Sequence, residues 1–542
     1  MKRLEYPALG ETVFAGRLPC GLELRVVQKR GFARVNAFLA VDFGSIDTDF
    51  TFEGVRRRVP DGIAHYLEHK MFDLPEGNAG NRFSESGAYN NAFTSYGMTA
   101  YYFSCTEETE QNLRLLLRMV LTPYFTAESV EKERGIIEQE IRMYEDSADS
   151  RAGEELNRCL YASHPLRVPI AGTVESIAAI TPELLTLCHR AFYQPANMML
   201  CVVGDVDPER IAAIVADCVP QTEAALPVRH YGGGETLLPV TQERRLRMEV
   251  SMPTFSAGFK CPPPERTGDP MRQEVLCELA SELLCGESSP LYARLYEANL
   301  IDSDFSAGYE STRQAALFSA SGDSRDPRAV LDALLAEAQR IAREGVDRTR
   351  FERLKKSSIG RRTRDLDGFD SISYRICAYH FDGADYLTFP RAYERVTPEE
   401  IQDFLAQTVV PERAALFACQ EIDQQTGRRA DHAAVDGEPA VADAGDALVP
   451  RHAGGEEHVP FGDDVKRARA DHRAGQADEH DVDHVIRHKA ERAAAPRGIE
   501  HGQNDAEHDH DGIEPDLKAE DRKAGRRVDL DAQPGEADRR IT

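Results

Sequence analysis

The chemistry of this chain begins with two imidazoles four residues apart and a carboxylate beside them: His65, Glu68 and His69, within Gly62-Ile-Ala-His-Tyr-Leu-Glu-His-Lys-Met-Phe72. On a helix, residues four apart lie one above the other on a single face, so both rings can offer a nitrogen to one ion. Zinc commonly takes two histidines and a carboxylate and keeps its fourth position for water, which a neighbouring carboxylate can deprotonate. The order His-x-x-Glu-His is the inverted form of the commoner zinc-hydrolase motif. The same stretch also suits an ordinary amphipathic helix with solvated histidines, because Ile63, Tyr66, Leu67 and Phe72 supply an apolar face. A third ligand decides between the two.

That ligand must be a carboxylate from elsewhere, and the run Ser129 to Tyr144 holds several. Val130, Glu133, Ile137, Glu140 and Tyr144 step by three and four, which predicts a helix with one largely apolar stripe. Glu131, Glu138 and Glu145 fall on the opposite stripe with Arg134 and Arg142, where paired surface charges are expected. A carboxylate on a buried face is costly unless a cation or hydrogen bonds satisfy it, which singles out Glu133 and Glu140.

With these residues the chain resembles the pitrilysin or insulinase family of zinc metallopeptidases, which includes mitochondrial processing peptidase subunits and bacterial homologues. The resemblance rests on His65, Glu68 and His69, on Glu140 within Ile136-Ile-Glu-Gln-Glu-Ile-Arg-Met-Tyr144, and on Glu133 seven residues earlier. It implies one zinc ion per chain held by His65, His69 and Glu140, with Glu68 activating the water and Glu133 orienting the site from behind the ligands. The implied activity is that of a zinc-dependent endopeptidase acting on peptides or unfolded protein segments. The alternative within such folds is a non-catalytic peptide-binding or structural subunit. The 71 positions from His69 to Glu140 are slightly fewer than the family suggests, and a shortened loop accounts for that.

The elements that must position these residues read as strands before and after the motif. Leu22-Glu-Leu-Arg-Val-Val27 alternates, and Val35-Asn-Ala-Phe-Leu-Ala-Val-Asp-Phe43 reads as a more buried strand. Two further extended runs, Ser84 to Ser95 and Thr99 to Cys105, flank a turn at Gly97. In the resembling family the Asn-Ala-Phe-Thr run is an edge strand that pairs with the substrate backbone, which assigns Asn91, Ala92 and Phe93 to substrate binding. On residue pattern alone it is a plain sheet strand.

The chain also echoes itself. Ile180-Thr-Pro-Glu through Pro195 recurs as Val396-Thr-Pro-Glu through Pro411, and each copy reads as a threonine-capped helix with proline in its first turn, followed by a strand. A weaker echo relates Ala100-Tyr-Tyr-Phe-Ser to Ala315-Ala-Leu-Phe-Ser. The expected architecture is therefore α+β: two homologous domains, each a mostly antiparallel sheet with helices packed on it, plus a disordered C-terminal tail. The boundaries are 1–222 for the zinc-binding domain, 223–237 for a proline- and glycine-marked linker, 238–419 for an inactive second domain and 420–542 for the tail.

No histidine lies between Tyr231 and Tyr379, so the second half cannot repeat the ligand pair. The counterpart of the zinc helix, Glu274 to Leu284, reads as an ordinary amphipathic core helix. In the resembling family an arginine, and a tyrosine seven residues later, come from the second half or from a partner's second half and stabilise the transition-state oxyanion. Aligning Ser289-Pro-Leu-Tyr-Ala-Arg-Leu295 onto that stretch puts Tyr296 and Ser303 at those positions. Arg294 is two residues out of phase, about 200° around a helix, and Tyr309 serves only if the loop is rearranged. The expected partners are thus a peptide substrate and a sister pitrilysin-like subunit, forming a heterodimer in which the sister carries the Arg/Tyr pair.

Composition bounds the rest. A net charge of −27 argues against nonspecific nucleic-acid binding. Eleven scattered cysteines without a Cys-x-x-Cys pair are expected as reduced, mostly buried thiols. The start has no apolar signal-like stretch and no run of 18 apolar residues occurs, so no membrane association and a cytoplasmic location are expected. The last 123 residues hold one aromatic, Phe461, and ten of the 16 histidines, a composition that cannot offset its ordering entropy or that reflects a wrong-frame extension.

Overall fold

A computed structural model of the chain describes residues 1–221, 225–266 and 268–421; the tail beyond Glu421 lies outside the described residues. In the first half, seven strands form one sheet: β1 (Lys2–Tyr6), β2 (Glu11–Arg17), β3 (Glu23–Gln28), β4 (Val35–Val41), β5 (Tyr89–Thr94), β6 (Thr99–Cys105) and β7 (Met198–Gly204). Their order is β1-β2-β3-β7-β4-β6-β5, antiparallel except for the parallel β7–β3 pair. β4 is buried at every position because both faces of the sheet are covered, which is why Val-Asn-Ala-Phe-Leu-Ala-Val is nearly continuous in apolar residues. Among the described residues β5 closes the sheet and has a strand on one side only.

The helices of this half include α1 (Ile63–Lys70), α2 (Thr109–Leu121), α3 (Ala127–Glu145), α4 (Ala148–Leu160) and α5 (Pro182–Phe192), with a short helix Ala79–Glu85 before β5. That short helix corrects the reading of Ser84 onward as extended. Asn78 caps it by accepting from Gly80 N–H at 2.8 Å, Phe83 is buried beneath it, and the strand starts only at Tyr89.

The second half repeats the plan. Strands β8 (Glu243–Met248), β9 (Thr254–Lys260), β10 (Ser306–Thr312), β11 (Ala315–Asp323) and β12 (Ala414–Glu421) lie in the order β8-β12-β9-β11-β10, with β8–β12 parallel and the rest antiparallel. This is the pattern β3-β7-β4-β6-β5 again, so the two echoes noted in sequence occupy equivalent places. Ala100 and Ala315 stand in β6 and β11. Thr181 caps α5, and Thr397 caps the second-half helix Pro398–Thr408, each with proline in the first turn and a following strand that enters the middle of its sheet. The chain is a duplicated α+β fold.

The other second-half helices include α6 (Pro270–Cys285), α7 (Pro290–Glu297), α8 (Pro327–Glu344), α9 (Arg348–Arg364) and α10 (Phe369–Phe381), followed by the short helix Phe389–Arg395. The halves exchange one helix each: α4 packs on β9 and β12 of the second sheet, and α10 packs on β4 and β7 of the first. On one side Leu156 of α4 sits so close to Gly258 that a Cβ there would lie 2.9 Å from its Cδ2. On the other, Ser373 donates to Asn36 Oδ1 at 3.0 Å, and Asn36 in turn donates to Asp370. Because α4 follows α3 after a single break capped by Ser147, the helix that carries Glu140 is tied through its successor to the second sheet.

The stretch read as a linker is held to the first half. Val228 and Arg229 pair with Thr51 and Phe50, and Tyr231 donates to Asp47 Oδ1 at 2.7 Å. Arg313, at the β10–β11 turn, pairs with Asp42 and so clamps the second half to the same acidic spot. All eleven cysteines are free thiols, and all but Cys218 are buried. Among the described residues no helix is long and apolar enough to cross a membrane.

Candidate metal centre

α1 is only eight residues long and is defined by its packing. Gly62 precedes it at φ +88°, where a Cβ would stand 2.4 Å from the carbonyl oxygen of Ala171, so only glycine fits. Ile63, Tyr66 and Leu67 are buried under it, and the Tyr66 hydroxyl donates to the Val130 carbonyl, joining α1 to α3. His65 and His69 then share a face, their ring centroids 4.7 Å apart.

Glu140 reaches this face from α3. Its Oε1 is 3.5 Å from His65 Nε2 and its Oε2 is 3.6 Å from His69 Nε2. One ligand atom from each of the three residues falls within 4.8 Å of the others. Two atoms each about 2.1 Å from one tetrahedral zinc stand roughly 3.4 Å apart, so this donor set fits the ion that the sequence implied. The surrounding groups complete the fit. His69 Nδ1 meets Glu133 Oε1 at 2.9 Å, and Tyr144 donates to Glu140 Oε1 at 2.6 Å, so the imidazole and the carboxylate that could hold an ion are each fixed by a further hydrogen bond. Glu131, on the far stripe, pairs with Arg134 instead.

The electrostatics of the cluster are those of a site suited to a cation. Burial opposes protonation of His65, yet Glu140 foremost, with Glu68 and Glu133, raises its pKa to about 9. Burial likewise works against ionisation of Glu140, but His65 and His69 bring its pKa down to about 2.

Glu68 lies beside the ligands and only 3% of its surface is exposed. Burial raises its pKa against the opposing pull of His65, His69 and a hydrogen bond from Thr94. That bond, Thr94 Oγ1 to Glu68 Oε2 at 2.6 Å, comes from the last residue of the edge strand β5. Sequence reasoning stopped at Asn91, Ala92 and Phe93 and missed Thr94, although alternation from buried Ala92 puts both on the face toward α1. Asn91 is buried and accepts from Ala92 N–H at 2.9 Å; Phe93 turns the other way, its ring 5.8 Å from that of Tyr374 on α10.

The second half answers the same helix pair with charge. α6 is not the ordinary amphipathic helix expected, because Glu274, Glu278 and Glu282 line one face and meet α9. Arg362 Nη2 lies 2.7 Å from both Glu274 Oε1 and Glu278 Oε2, Arg361 Nη2 is 2.8 Å from Glu282 Oε1, and Tyr393 donates to Glu278 at 2.7 Å. Apolar periodicity gave no sign of this, since the partners lie some 80 residues downstream. Among the candidate oxyanion donors, Tyr296 is 54% exposed on α7, Arg294 is bound to Glu337 Oε2 at 2.9 Å, and Tyr309 is buried in β10.

Residues 35–174 match the family Insulinase (Peptidase family M16), and residues 179–358 match the Peptidase M16 inactive domain. The chain is 35% identical over 428 residues to YmfH of Bacillus subtilis (strain 168), described as an uncharacterized zinc protease, covering 78% of this chain and 99% of that protein. An M16-like peptidase from Alicyclobacillus acidocaldarius superposes with a TM-score of 0.72 at 30% identity, over 77% of this chain and all of that one. Pitrilysin shares the fold, with a TM-score of 0.60 at 17% identity over 76% of this chain and 45% of its own.

Proposed function

This chain belongs to the insulinase (M16) family of peptidases, and we propose that it is a zinc-dependent endopeptidase cleaving peptides or unfolded protein segments at the His65/Glu68/His69/Glu140 cluster. The carrying observation is the convergence of three ligand atoms within 4.8 Å beside a buried carboxylate and a sheet edge. One zinc, held by His65, His69 and Glu140, would supply Lewis acidity toward the scissile carbonyl and lower the pKa of a water.

The remaining work falls to the chain itself. Glu68, kept in place by Thr94, accepts the proton of the attacking water and returns it to the leaving amine. Glu133 holds His69 so that Nε2 faces the ion, and Tyr144 does the same for Glu140. The edge strand β5 takes an extended substrate backbone as an added strand, reading main chain more than side chains, with Asn91, Ala92 and Phe93 along it.

The reading extends to a partner. With Arg294 engaged by Glu337 and Tyr309 buried, neither is free to stabilise a developing oxyanion. A heterodimer whose sister subunit supplies an arginine and a tyrosine would complete the site. The test is turnover by Glu68→Gln: the variant should keep its zinc and lose cleavage, and undiminished cleavage rules out the assignment.

A further inference from the structure

Immediately after His69 the chain places a lysine in the core. Lys70 is 1% exposed, the last residue of α1, in a cluster whose other members are the zinc ligands' neighbours. Its Nζ pairs with Asp73 Oδ2, donates to the Ser129 carbonyl at 3.2 Å and stands 3.9 Å from Glu133 Oε2. A buried ammonium is costly, and packing alone would be served as well by an unbranched apolar side chain. Its contacts indicate what it does. Ser129 and Glu133 are successive turns of α3, so Lys70 bridges α1 to α3 without any metal. Glu133 thus faces a cation on one side, the Lys70 ammonium 3.9 Å from Oε2, and a hydrogen bond on the other, between Oε1 and His69 Nδ1 at 2.9 Å.

The second half supports this. There the equivalent helices, α6 and α9, are joined by Arg362 with Glu274 and Glu278, so this fold bridges the pair with a cation whether or not a metal site is present. In the first half the bridging cation is Lys70, whose anion partners are Asp73 and, 3.9 Å away, the carboxylate that meets His69 Nδ1.

We propose that Lys70 is a positioning residue of the metal site, acting through Glu133 to hold His69 in its ligating orientation before zinc arrives. The proposal rests on the zinc reading given above. It is tested by measuring zinc affinity of the full chain in competition with a chromophoric chelator, for the wild type, Lys70→Met, Lys70→Gln, Glu133→Gln and the double variant Lys70→Met/Glu133→Gln. Circular dichroism in excess chelator checks that each variant folds.

Each Lys70 variant should bind zinc about ten- to a hundredfold more weakly while keeping its fold, the usual cost of removing a group behind a metal ligand. The double variant should be no more than about threefold weaker than Glu133→Gln, because both changes break one path. Wild-type affinity in folded Lys70→Met, or losses that multiply in the double variant, overturn the proposal. Failure of both Lys70 variants to fold overturns it too, by assigning Lys70 to folding alone. A wild-type chain that binds no zinc removes the reading beneath it, which is a separate result from wild-type binding left unchanged by Lys70→Met.

Discussion

Thr94 Oγ1 lies 2.6 Å from Glu68 Oε2, so the strand proposed to take the substrate also holds the carboxylate proposed to activate the water. A hydrogen bond to a charged group is worth about 1.5–3 kcal/mol. Thr94→Val should therefore lower kcat about ten- to a hundredfold with zinc content unchanged, and Thr94→Ser should recover most of it. Steady-state kinetics beside metal analysis check this, and equal kcat in Thr94→Val would show that Glu68 is oriented otherwise.

Glu140 and Glu138 lie two residues apart on one helix but on different faces. Glu140→Gln should lower the zinc content of the purified chain sharply, and Glu138→Gln should leave it at one per chain. Inductively coupled plasma mass spectrometry of both decides the matter, and the reverse outcome would place the third ligand elsewhere.

What was legible in the sequence follows from range. His65, Glu68 and His69 sit within one helix, and the stripe Val130, Glu133, Ile137, Glu140, Tyr144 within another, so local periodicity exposed both; Val130, Ile137 and Glu140 are indeed buried. The two Thr-Pro-Glu helices revealed the duplication because their caps are local chemistry. Thr94 was missed because its partner is 26 residues away across the sheet edge, and the α6–α9 charge cluster because Arg362 is 88 residues from Glu274. The exchange of α4 and α10 between halves leaves no periodic signal at all. Both are amphipathic helices in sequence, and which sheet each covers is a property of the assembled fold.

The metal-free cluster also gives the protein a pH dependence. His65 rises from an ordinary 6.5 to about 9, so its stabilising contribution is complete below pH 6.5 and is lost as pH rises through 9. Glu140 falls from 4.5 to about 2, so its contribution is present above 4.5 and is lost as pH falls through 2. In chelator, Tm should decline between pH 6.5 and 9. The zinc-loaded chain should lack that decline, since ligation keeps the imidazole neutral. Differential scanning calorimetry across this window, giving parallel curves for the two forms, would contradict the assignment of His65.

Partner dependence has its own readout. Purified alone, the chain should bind zinc yet cleave peptides poorly, and activity should rise when a sister subunit carrying the Arg/Tyr pair is added. Replacing Arg294 and Tyr309 with alanine and phenylalanine should not alter activity of the pair. Full activity in the isolated chain, unchanged by those replacements, would show that no partner is required.

The central claim is most directly tested by exposing an unbiased peptide mixture to the wild-type chain and to Glu68→Gln, with zinc measured in each sample and new termini identified by mass spectrometry. The account predicts one zinc per chain in both and new internal termini from the wild type alone. Equal cleavage by the two, or a wild-type chain that cleaves without zinc, would contradict it.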